Sequence, residues 1–282
     1  MKYLALQFTV APFTEEATDI LCYQLGEIGF DSFSPTEDGV IAYAPHFDEE
    51  NVKSLLEVFP LEDVSISYSE YEVADVNWNK TWENSWTEPF VISASGKSIV
   101  IAPETTEYIP QAEHVITLIP HQSFGTGDHP TTHLLLQDIL TIDLNGKRVL
   151  DVGCGTGVLS IASYKEGAES ITALDIDEWS VESTKKNALL NRIKGITLIH
   201  GDIHSEQSAQ LFDVIFANIH RNILQEQMPQ YAVRLTSGGL LLLSGFYEAD
   251  APYIIKEAAE QGLTHVSTTT KDGWARVIVA GR

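Results

Sequence analysis

The chain has 282 residues, of which 44% are hydrophobic, and this is enough for one large or two ordinary domains with apolar cores. Its net charge of −23 disfavours direct binding to nucleic acid, because an acidic surface repels phosphate backbones. The two cysteines, Cys22 and Cys154, lie far apart without partner spacing, which argues against a disulfide framework and a cysteine-based zinc site. Since no stretch approaches the roughly 18 apolar residues of a membrane span, and the N-terminal strand pattern contains the polar Gln7, we expect a cytoplasmic protein without membrane contact.

Residues 1–73 are predicted to form a small α+β domain of the ferredoxin-like type. Alternating apolar residues predict strands, Thr14 and Asp48 are suited to cap helices, and the Asp38-Gly39 pair predicts a hairpin turn. The predicted strands cover residues 3–10, 30–34, 40–44 and 63–71. With the two helices between them, the order is β-α-β-β-α-β, which is typical of that fold.

The negative charge is concentrated in this part of the chain. Residues 1–75 contain sixteen acidic but only two basic side chains, Lys2 and Lys53, which gives this region a net charge of −14. A face this acidic attracts basic partners, and we expect it to dock a basic substrate. General solubility is an equally good explanation of the same charge.

Residues 74–90 are predicted to form a linker helix. Trp78, Trp82 and Trp86 recur every four residues and therefore share one helical face. We interpret this face as packing between domains rather than as an aromatic ligand cage. A hairpin is expected next, with strands at 90–93 and 99–102 that turn at Ser95-Gly96.

Residues 91–282 are predicted to form the second domain, in which strands and helices alternate. Such alternation predicts a parallel sheet covered on both faces, with right-handed crossovers. The predicted strands cover residues 148–152, 170–175, 196–200, 213–218 and 239–244, followed by a terminal pair at 264–270 and 274–280. Ligands bind at the carboxyl ends of the strands in sheets of this kind.

The first of these strands runs from Arg148 into three alternate glycines, Gly153, Gly155 and Gly157. Glycines at such a place let the backbone turn sharply and approach a ligand without Cβ atoms. A dinucleotide fingerprint requires glycine at position 158, where this chain has Val158, so a nicotinamide dehydrogenase is disfavoured. The observed D-x-G-x-G-x-G spacing resembles motif I of class I S-adenosylmethionine methyltransferases.

Polar residues end the next three strands and fit a cofactor site. Asp175 lies 22 residues after Gly153, close to the separation expected of an acid that binds ribose hydroxyls. Asp202 is a candidate for the adenine side, although surface acids are common. Asn218 either presents its amide above the sheet or merely forms a turn.

Residues 120–133 form a second glycine-containing segment ahead of this sheet. Pro130 suits the first turn of a helix, whose starting hydroxyls and amides are placed to meet a carboxylate. His129 and His133 lie one turn apart with His121 nearby, which raises the question of a metal. Because no glutamate completes an H-E-x-x-H pattern between them, we expect no metal site.

Four segments together resemble the methyltransferases of large-subunit ribosomal protein eleven. They are F-G-T-G-D-H-P-T-T at 124–132, V-L-D-V-G-C-G-T-G-V at 149–158, A-L-D-I-D at 173–177 and A-N-I at 217–219. The likeness covers nearly the whole chain and implies an α/β fold, in which a Rossmann-like class I methyltransferase domain follows a ferredoxin-like domain. It implies S-adenosylmethionine as cofactor, with methylation of lysine side-chain and N-terminal amines of a basic ribosomal protein held by the first domain.

The resemblance also implies which residues form the site. The positions that match the cofactor-binding residues of the family are Phe124, Thr132, Gly153, Gly155, Asp175 and Asn218. The chain departs from the family pattern at His121 and Ser123 before the first of these, and at His220 and Arg221 after the last. These departures affect the expected shape of the substrate entrance rather than the cofactor site.

Asn218 is the predicted catalytic residue. We expect its side chain, together with the Ile219 carbonyl, to accept hydrogen bonds from the substrate amine and to aim its lone pair at the methyl group. The pKa of a free lysine is about 10.4, so the amine must lose a proton; desolvation and the positive sulfonium favour the neutral form, and no dedicated base is required.

Three alternatives to this function stay open. An amide or adenine methyltransferase normally carries Asn-Pro-Pro-Tyr at the fourth strand, where this chain has Asn-Ile-His-Arg at 218–221. A methyltransferase that acts on another protein or on a nucleic-acid amino group is the second alternative. The third is a non-catalytic regulator that binds the cofactor.

Overall fold

The computed structural model describes residues 4–30, 32–36, 38–44, 47–57, 59–61, 64–71, 88–119, 127–206, 208 and 210–282. The chain separates into two compact units, Met1–Asn77 and Trp78–Arg282. The predicted linker helix with its three tryptophans lies outside the described residues, apart from its last positions. None of the helices in the described ranges is both long enough and apolar enough to cross a lipid bilayer.

The first unit contains a four-stranded antiparallel sheet with two helices. Its elements are β1 (Leu4–Ala11), α1 (Glu15–Glu27), β2 (Ser32–Pro35), β3 (Gly39–Ala44), α2 (Glu49–Glu57) and β4 (Ser65–Tyr71). The strands lie in the order β2-β3-β1-β4, and every neighbouring pair is antiparallel. This element order and strand order are those of a ferredoxin-like arrangement.

Local sequence signals account for the elements of this unit. Thr14 accepts a hydrogen bond from the Ala17 N–H, and Asp48 accepts one from the Glu50 N–H, so both predicted caps are observed. Gly39 starts β3, where a Cβ would lie 2.0 Å from the Phe8 carbonyl oxygen, so only glycine fits. Helix α1 packs on the sheet through fully buried leucines such as Leu21.

The second unit is larger and alternates strands with helices. Its strands are β5 (Phe90–Ala94), β6 (Lys97–Pro103), β7 (His114–Leu118), β8 (Arg148–Val152), β9 (Ser170–Asp175), β10 (Ile196–His200), β11 (Phe212–Asn218), β12 (Leu235–Tyr247), β13 (Thr264–Lys271) and β14 (Trp274–Ala280). Its helices are α3 (Pro130–Ile139), α4 (Val158–Lys165), α5 (Glu178–Leu190), α6 (Arg221–Arg234) and α7 (Ala251–Glu260). Strand β5 begins at Phe90, the predicted start of the first hairpin strand.

Seven of these strands form one mixed sheet in the order β10-β9-β8-β11-β12-β14-β13. The first five are parallel, whereas β14 runs antiparallel to both of its neighbours. The predicted Rossmann-like α/β fold is confirmed. Strand β12 is longer than the predicted 239–244 because it starts four residues earlier, ahead of an irregularity in its pairing with β11.

The remaining three strands form a separate small sheet in the order β5-β6-β7. The predicted hairpin between β5 and β6 is present, and Ser95 (φ 53°) and Gly96 (φ 80°) make its turn. Strand β7, which pairs in parallel with β6, was not predicted. Its Ile116 is fully buried and belongs to the same core as α3 and α4.

The central strands of the large sheet are buried on both of their faces, whereas the edge strands β10 and β13 are half-buried or exposed. Neighbouring residues of β11 show this directly, since Phe216 belongs to one core cluster while Ile215 and Ala217 belong to another. All three side chains are fully buried. This double burial explains why the strands read as continuous apolar runs rather than as alternating patterns.

Candidate functional site

The carboxyl ends of β8, β9 and β11 open into a cavity of about 420 Å³. Five of the six predicted cofactor residues line it, namely Thr132, Gly153, Gly155, Asp175 and Asn218. Phe124 lies outside the described residues, so its role stays a prediction. The fold therefore brings together residues that lie as far apart in the sequence as positions 132 and 218.

The glycine loop, residues 153–157, follows β8 directly. Gly153, Gly155 and Gly157 all have positive φ, at 73°, 54° and 78°. A Cβ at Gly153 would lie 2.4 Å from the side chain of Ile219, and one at Gly157 would lie 2.7 Å from that of Thr184. Both the backbone conformation and the packing thus require glycine at these two positions.

Asp151 lies in β8, just before this loop, and is fully buried. Its carboxylate accepts hydrogen bonds from the Ser160 N–H at 3.1 Å and from the Ser160 hydroxyl at 2.7 Å. Burial raises the pKa of the Asp151 carboxyl to about 6, although the bonds from Ser160 oppose the rise. Asp151 does not line the cavity, so it anchors the first turn of α4 rather than a ligand.

Asp175, at the end of β9, bonds to the glycine loop. Its Oδ2 accepts from the Gly155 N–H at 3.0 Å, and its Oδ1 accepts from the Asp177 N–H at 3.0 Å. A carboxylate has about four lone-pair sites, so both oxygens can still accept from a ligand diol. The carboxylate therefore fixes the loop and offers acceptors to the cavity at the same time.

Asn218, at the end of β11, has an incomplete set of hydrogen bonds. Its Nδ2 donates to Thr132 Oγ1 at 3.2 Å. Its Oδ1 is buried and finds no hydrogen-bond partner in the described part of the chain. A buried acceptor without a partner is destabilising, and native proteins contain few of them. Because Asn218 lines the cavity, a donor bound there can supply the missing bond.

Thr132 lies in the first turn of α3, which begins at Pro130 as predicted. His129 caps this helix, and its Nδ1 lies 2.8 Å from the Thr131 hydroxyl. Burial lowers the pKa of the His129 imidazole, with the nearby Asp128 opposing the shift, so the ring is neutral at pH 7. Within the described ranges, no three His, Cys, Asp or Glu side chains are grouped to hold a metal ion.

An aromatic cluster, consisting of Trp274, Tyr247 and His129, lies at one wall of the cavity. The Trp274 and Tyr247 rings are 4.4 Å apart between centroids, and the His129 ring stands edge-on to Trp274 at 4.7 Å. Trp274 and His129 line the cavity. Sequence reasoning missed Trp274, whose only signal was its position after the Asp272-Gly273 turn.

The third strand end and the positions after Asn218 also reach the cavity. Asp202 lines it, but Asp202 Oδ1 accepts from the His204 N–H and caps a short 3₁₀ turn. His220 lines the cavity as well, whereas Arg221 pairs with Asp250 at 2.5 Å. Of the two departures that follow Asn218, His220 thus borders the cavity, whereas Arg221 is held by Asp250.

Comparisons with known proteins agree with this geometry. A family model described as "Ribosomal protein L11 methyltransferase (PrmA)" matches residues 18–282. Proteins named ribosomal protein L11 methyltransferase are similar over 279 residues: one from Phocaeicola vulgatus is 41% identical and covers 98% of both chains, and one from Bacteroides fragilis is 42% identical and covers 98% of this chain and 99% of its own. The crystal structure of a ribosomal protein L11 methylase from Lactobacillus delbrueckii subsp. bulgaricus matches with a TM-score of 0.63 and 31% identity, over 68% of this chain and 98% of that one.

Proposed function

Because the chain belongs to the ribosomal protein L11 methyltransferase family, we propose that it methylates lysine side-chain and N-terminal amines of ribosomal protein L11, with S-adenosylmethionine as cofactor. The observation that carries this proposal is the buried Oδ1 of Asn218, which lacks a partner among the described residues and borders the same cavity as the glycine loop. An amine N–H is the kind of donor that satisfies such an acceptor.

The residues around the cavity fit S-adenosylmethionine. The volume of about 420 Å³ is typical of a small-molecule site. Gly153 and Gly155 would let the backbone approach the ligand, and Asp175 would accept hydrogen bonds from its ribose hydroxyls. Thr132 accepts from Asn218, so its own hydroxyl hydrogen can be donated to the methionine carboxylate. When bound, the cofactor supplies a methyl group on a positively charged sulfonium.

Asn218 is the residue we assign to the substrate amine. Its Nδ2 is engaged by Thr132, which fixes the amide so that Oδ1 is the atom left for the substrate. An N–H donated to this oxygen would hold the nitrogen in one orientation, with its lone pair free on the opposite side. Its contribution is therefore positioning, which converts an encounter into a directed transfer.

The substrate amine must be neutral to react, and the lining of the cavity favours that state. Apolar side chains such as Val158, Leu174 and Ile219 border it, and they disfavour a charged ammonium by desolvation. These apolar side chains lower the pKa of an entering amine, which gives its proton to solvent as it leaves water, so Asn218 needs to accept a hydrogen bond but not a proton.

Trp274 is suited to contact the aliphatic part and the nitrogen of the substrate side chain. Its indole ring borders the cavity and is held between Tyr247 and His129. Aromatic faces pack well against the methylene groups of a long side chain, and this contact does not require a charge on the nitrogen. We assign Trp274 to the wall of the amine entrance, in the same cavity as the Asn218 side chain.

The acidic first unit supports recruitment of a basic substrate. Residues 1–75 carry sixteen acidic and two basic side chains, and among them Asp38, Glu49 and Glu50 are exposed. Attraction between opposite charges accelerates the encounter of two proteins, and this attraction weakens as salt is added. We propose that ribosomal protein L11 docks on this unit, and that the reaction takes place in the cytoplasm.

The proposal is tested by incubating the full chain with S-adenosylmethionine labelled in its methyl group, first with purified ribosomal protein L11 and then with a cell extract. We expect label on L11, at lysine and N-terminal amines located by mass spectrometry of its peptides. Label on RNA, or on a different protein with L11 unlabelled, would contradict the substrate assignment. Binding of S-adenosylhomocysteine without any transfer would instead identify a regulator.

A further inference from the structure

Helix α5 carries a polar face that is buried rather than exposed. Thr184 and Asn187 are both fully buried, and Asn191 follows one turn later, directly after the helix. Their spacing of three and four residues places them on one side of the helix. Buried polar side chains must find hydrogen-bond partners, and these three find theirs in two separate parts of the backbone.

The first part is the glycine loop. The Thr184 hydroxyl donates to the Gly155 carbonyl at 3.0 Å, and Asn187 Nδ2 donates to the Thr156 carbonyl at 2.9 Å. Because a peptide group is planar, fixing a carbonyl also fixes the N–H of the following residue. Helix α5 therefore sets the orientation of two successive peptides of the loop from the side opposite the cavity.

The second part is strand β7, at the edge of the small sheet. Asn187 Oδ1 accepts from the Ile119 N–H at 2.9 Å. Asn191 Oδ1 accepts from the Thr117 N–H at 3.0 Å, and Asn191 Nδ2 donates to the Thr117 carbonyl at 2.6 Å. The two amides thus satisfy an edge that would otherwise require a neighbouring strand.

We propose that Asn187 is a positioning residue for the cofactor. Within the described ranges, it is the side chain whose amide joins the glycine loop to the β7 segment. Thr184 bonds to the loop but not to β7, and Asn191 bonds to β7 and to the Asn187 carbonyl but not to the loop. Neither Asn187 nor Thr156 lines the cavity, so the effect of Asn187 on the ligand passes from the Thr156 peptide through the neighbouring Gly155, which does line it. This inference rests on the proposed cofactor site at the glycine loop.

The test compares two alanine variants of the full chain, Asn187→Ala and Asn191→Ala. Each removes one amide that bonds to the β7 segment, but only Asn187→Ala also removes a donor to the Thr156 carbonyl. We expect Asn187→Ala to raise the Kd of S-adenosylhomocysteine at least tenfold in calorimetric titrations. The two alanine variants should lower the Tm by similar amounts. The Kd of Asn191→Ala, however, should stay within threefold of the Kd of the unaltered chain.

A third variant, Asn187→Asp, distinguishes the role of the amide's donor from that of its acceptor. It keeps an acceptor for the Ile119 N–H and loses the donor to the Thr156 carbonyl, so its Kd should rise as in Asn187→Ala. Turnover should recover at saturating S-adenosylmethionine, which appears as a raised KM with a nearly unchanged kcat. A normal Kd in Asn187→Asp, or equal Kd changes in the two alanine variants, contradicts the inference.

Gly153→Val distinguishes failure of this inference from failure of the proposed function. If Gly153→Val abolishes binding of S-adenosylhomocysteine while Asn187→Ala binds normally, Asn187 is a structural residue and the cofactor site stands. If neither variant changes binding, the cofactor does not lie against the glycine loop, and both proposals are wrong.

Discussion

The two sides of the cavity are built in different ways. On the glycine side, which comprises residues 153–157, backbone groups are paired with Asp175, Thr184 and Asn187 at distances of 2.9 to 3.0 Å. On the Asn218 side, a side chain forms the surface, and its Oδ1 lacks a partner among the described residues. The glycine side is therefore complete before a ligand binds, whereas the Asn218 side is completed only by a donor in the cavity.

The difference matches the tasks that we propose for the two sides. A cofactor of constant shape suits a rigid surface, which binds without paying for reorganisation. A substrate amine must instead be held by a bond that forms when the substrate arrives, and an unpaired acceptor provides it. Damage to the glycine side should therefore affect cofactor binding, and damage to the Asn218 side should affect turnover or substrate binding.

The largest effect is expected from Gly153→Val, which disrupts the glycine side. Its Cβ alone would lie 2.4 Å from Ile219, and φ is 73°, so the loop must shift. We expect the Kd of S-adenosylhomocysteine to rise by about two orders of magnitude or more. The control is Gly146→Val, which has a similar φ of 69° but open space around it, and which should leave the Kd unchanged. Normal binding by Gly153→Val would show that this loop does not contact the ligand.

A smaller effect is expected from Trp274→Ala, which removes the aromatic wall on the Asn218 side. The KM for ribosomal protein L11 should rise about tenfold, because two methylene groups of the substrate buried against the ring contribute about 0.8 kcal/mol each. The Kd of S-adenosylhomocysteine should stay within twofold. Tyr253→Ala serves as control, since this exposed aromatic residue does not line the cavity. A raised Kd with an unchanged KM would show that Trp274 contacts the cofactor rather than the substrate.

A few-fold effect is expected from Glu50→Lys, which reverses one exposed charge of the acidic first unit. The KM for ribosomal protein L11 should rise two- to fivefold with kcat unchanged, and the KM of the unaltered chain should rise with added salt. Glu260→Lys makes the same charge change in the second unit and is the control. Equal responses of the two variants would show that net charge, rather than docking on the first unit, is responsible.

The smallest effect is expected on the free energy of unfolding, and it comes from the buried Asp151 just before the glycine loop. Burial raises the pKa of the Asp151 carboxyl from 3.8 to about 6, so the native state binds this proton more tightly than the unfolded state. The penalty for burying the charge is thus fully present well above pH 6, is progressively relieved as the pH falls through 6, and is gone near pH 4. Between pH 7.5 and 5.0 this group should add about 1 kcal/mol to the free energy of unfolding, a gain that Asp151→Asn lacks.

Urea unfolding at the two pH values measures this difference. Asp213→Asn is the matched control: burial raises the pKa of the Asp213 carboxyl, but hydrogen bonds from Arg148 outweigh that and keep it below 3.8. Asp213 therefore does not titrate between pH 7.5 and 5.0, and its variant should show the same pH dependence as the unaltered chain. Identical pH dependence in Asp151→Asn would mean that Asp151 is ionised throughout this range.

The sequence was most informative where backbone geometry limits the choice of residue. Gly153 and Gly157 are recognisable because positive φ and close packing admit only glycine, and Asp175 because the end of a parallel strand fixes its place. Strand β7 was missed because its five residues lie in a short apolar run without a turn signal of its own. Its partners are two asparagines of a helix and β6, which no local pattern connects to it.

Buried polar residues were the other part that the sequence did not reveal. Asn187 reads as a surface position of a helix, since asparagine is usually exposed. Its burial follows from the glycine loop and β7, which approach α5 only in the folded chain. Trp274 was missed for a similar reason, because a single tryptophan after a turn does not indicate which cavity its ring will border.

The distinction between the two sides of the cavity is tested most directly by Asn218→Ala. Two quantities are measured, kcat for methylation of ribosomal protein L11 and the Kd of S-adenosylhomocysteine. If Asn218 Oδ1 orients the amine, kcat should fall by about two orders of magnitude while the Kd changes less than threefold. If kcat and affinity fall equally, or if the Kd alone changes, Asn218 is a cofactor ligand. The distinction between the two sides of the cavity would then be wrong.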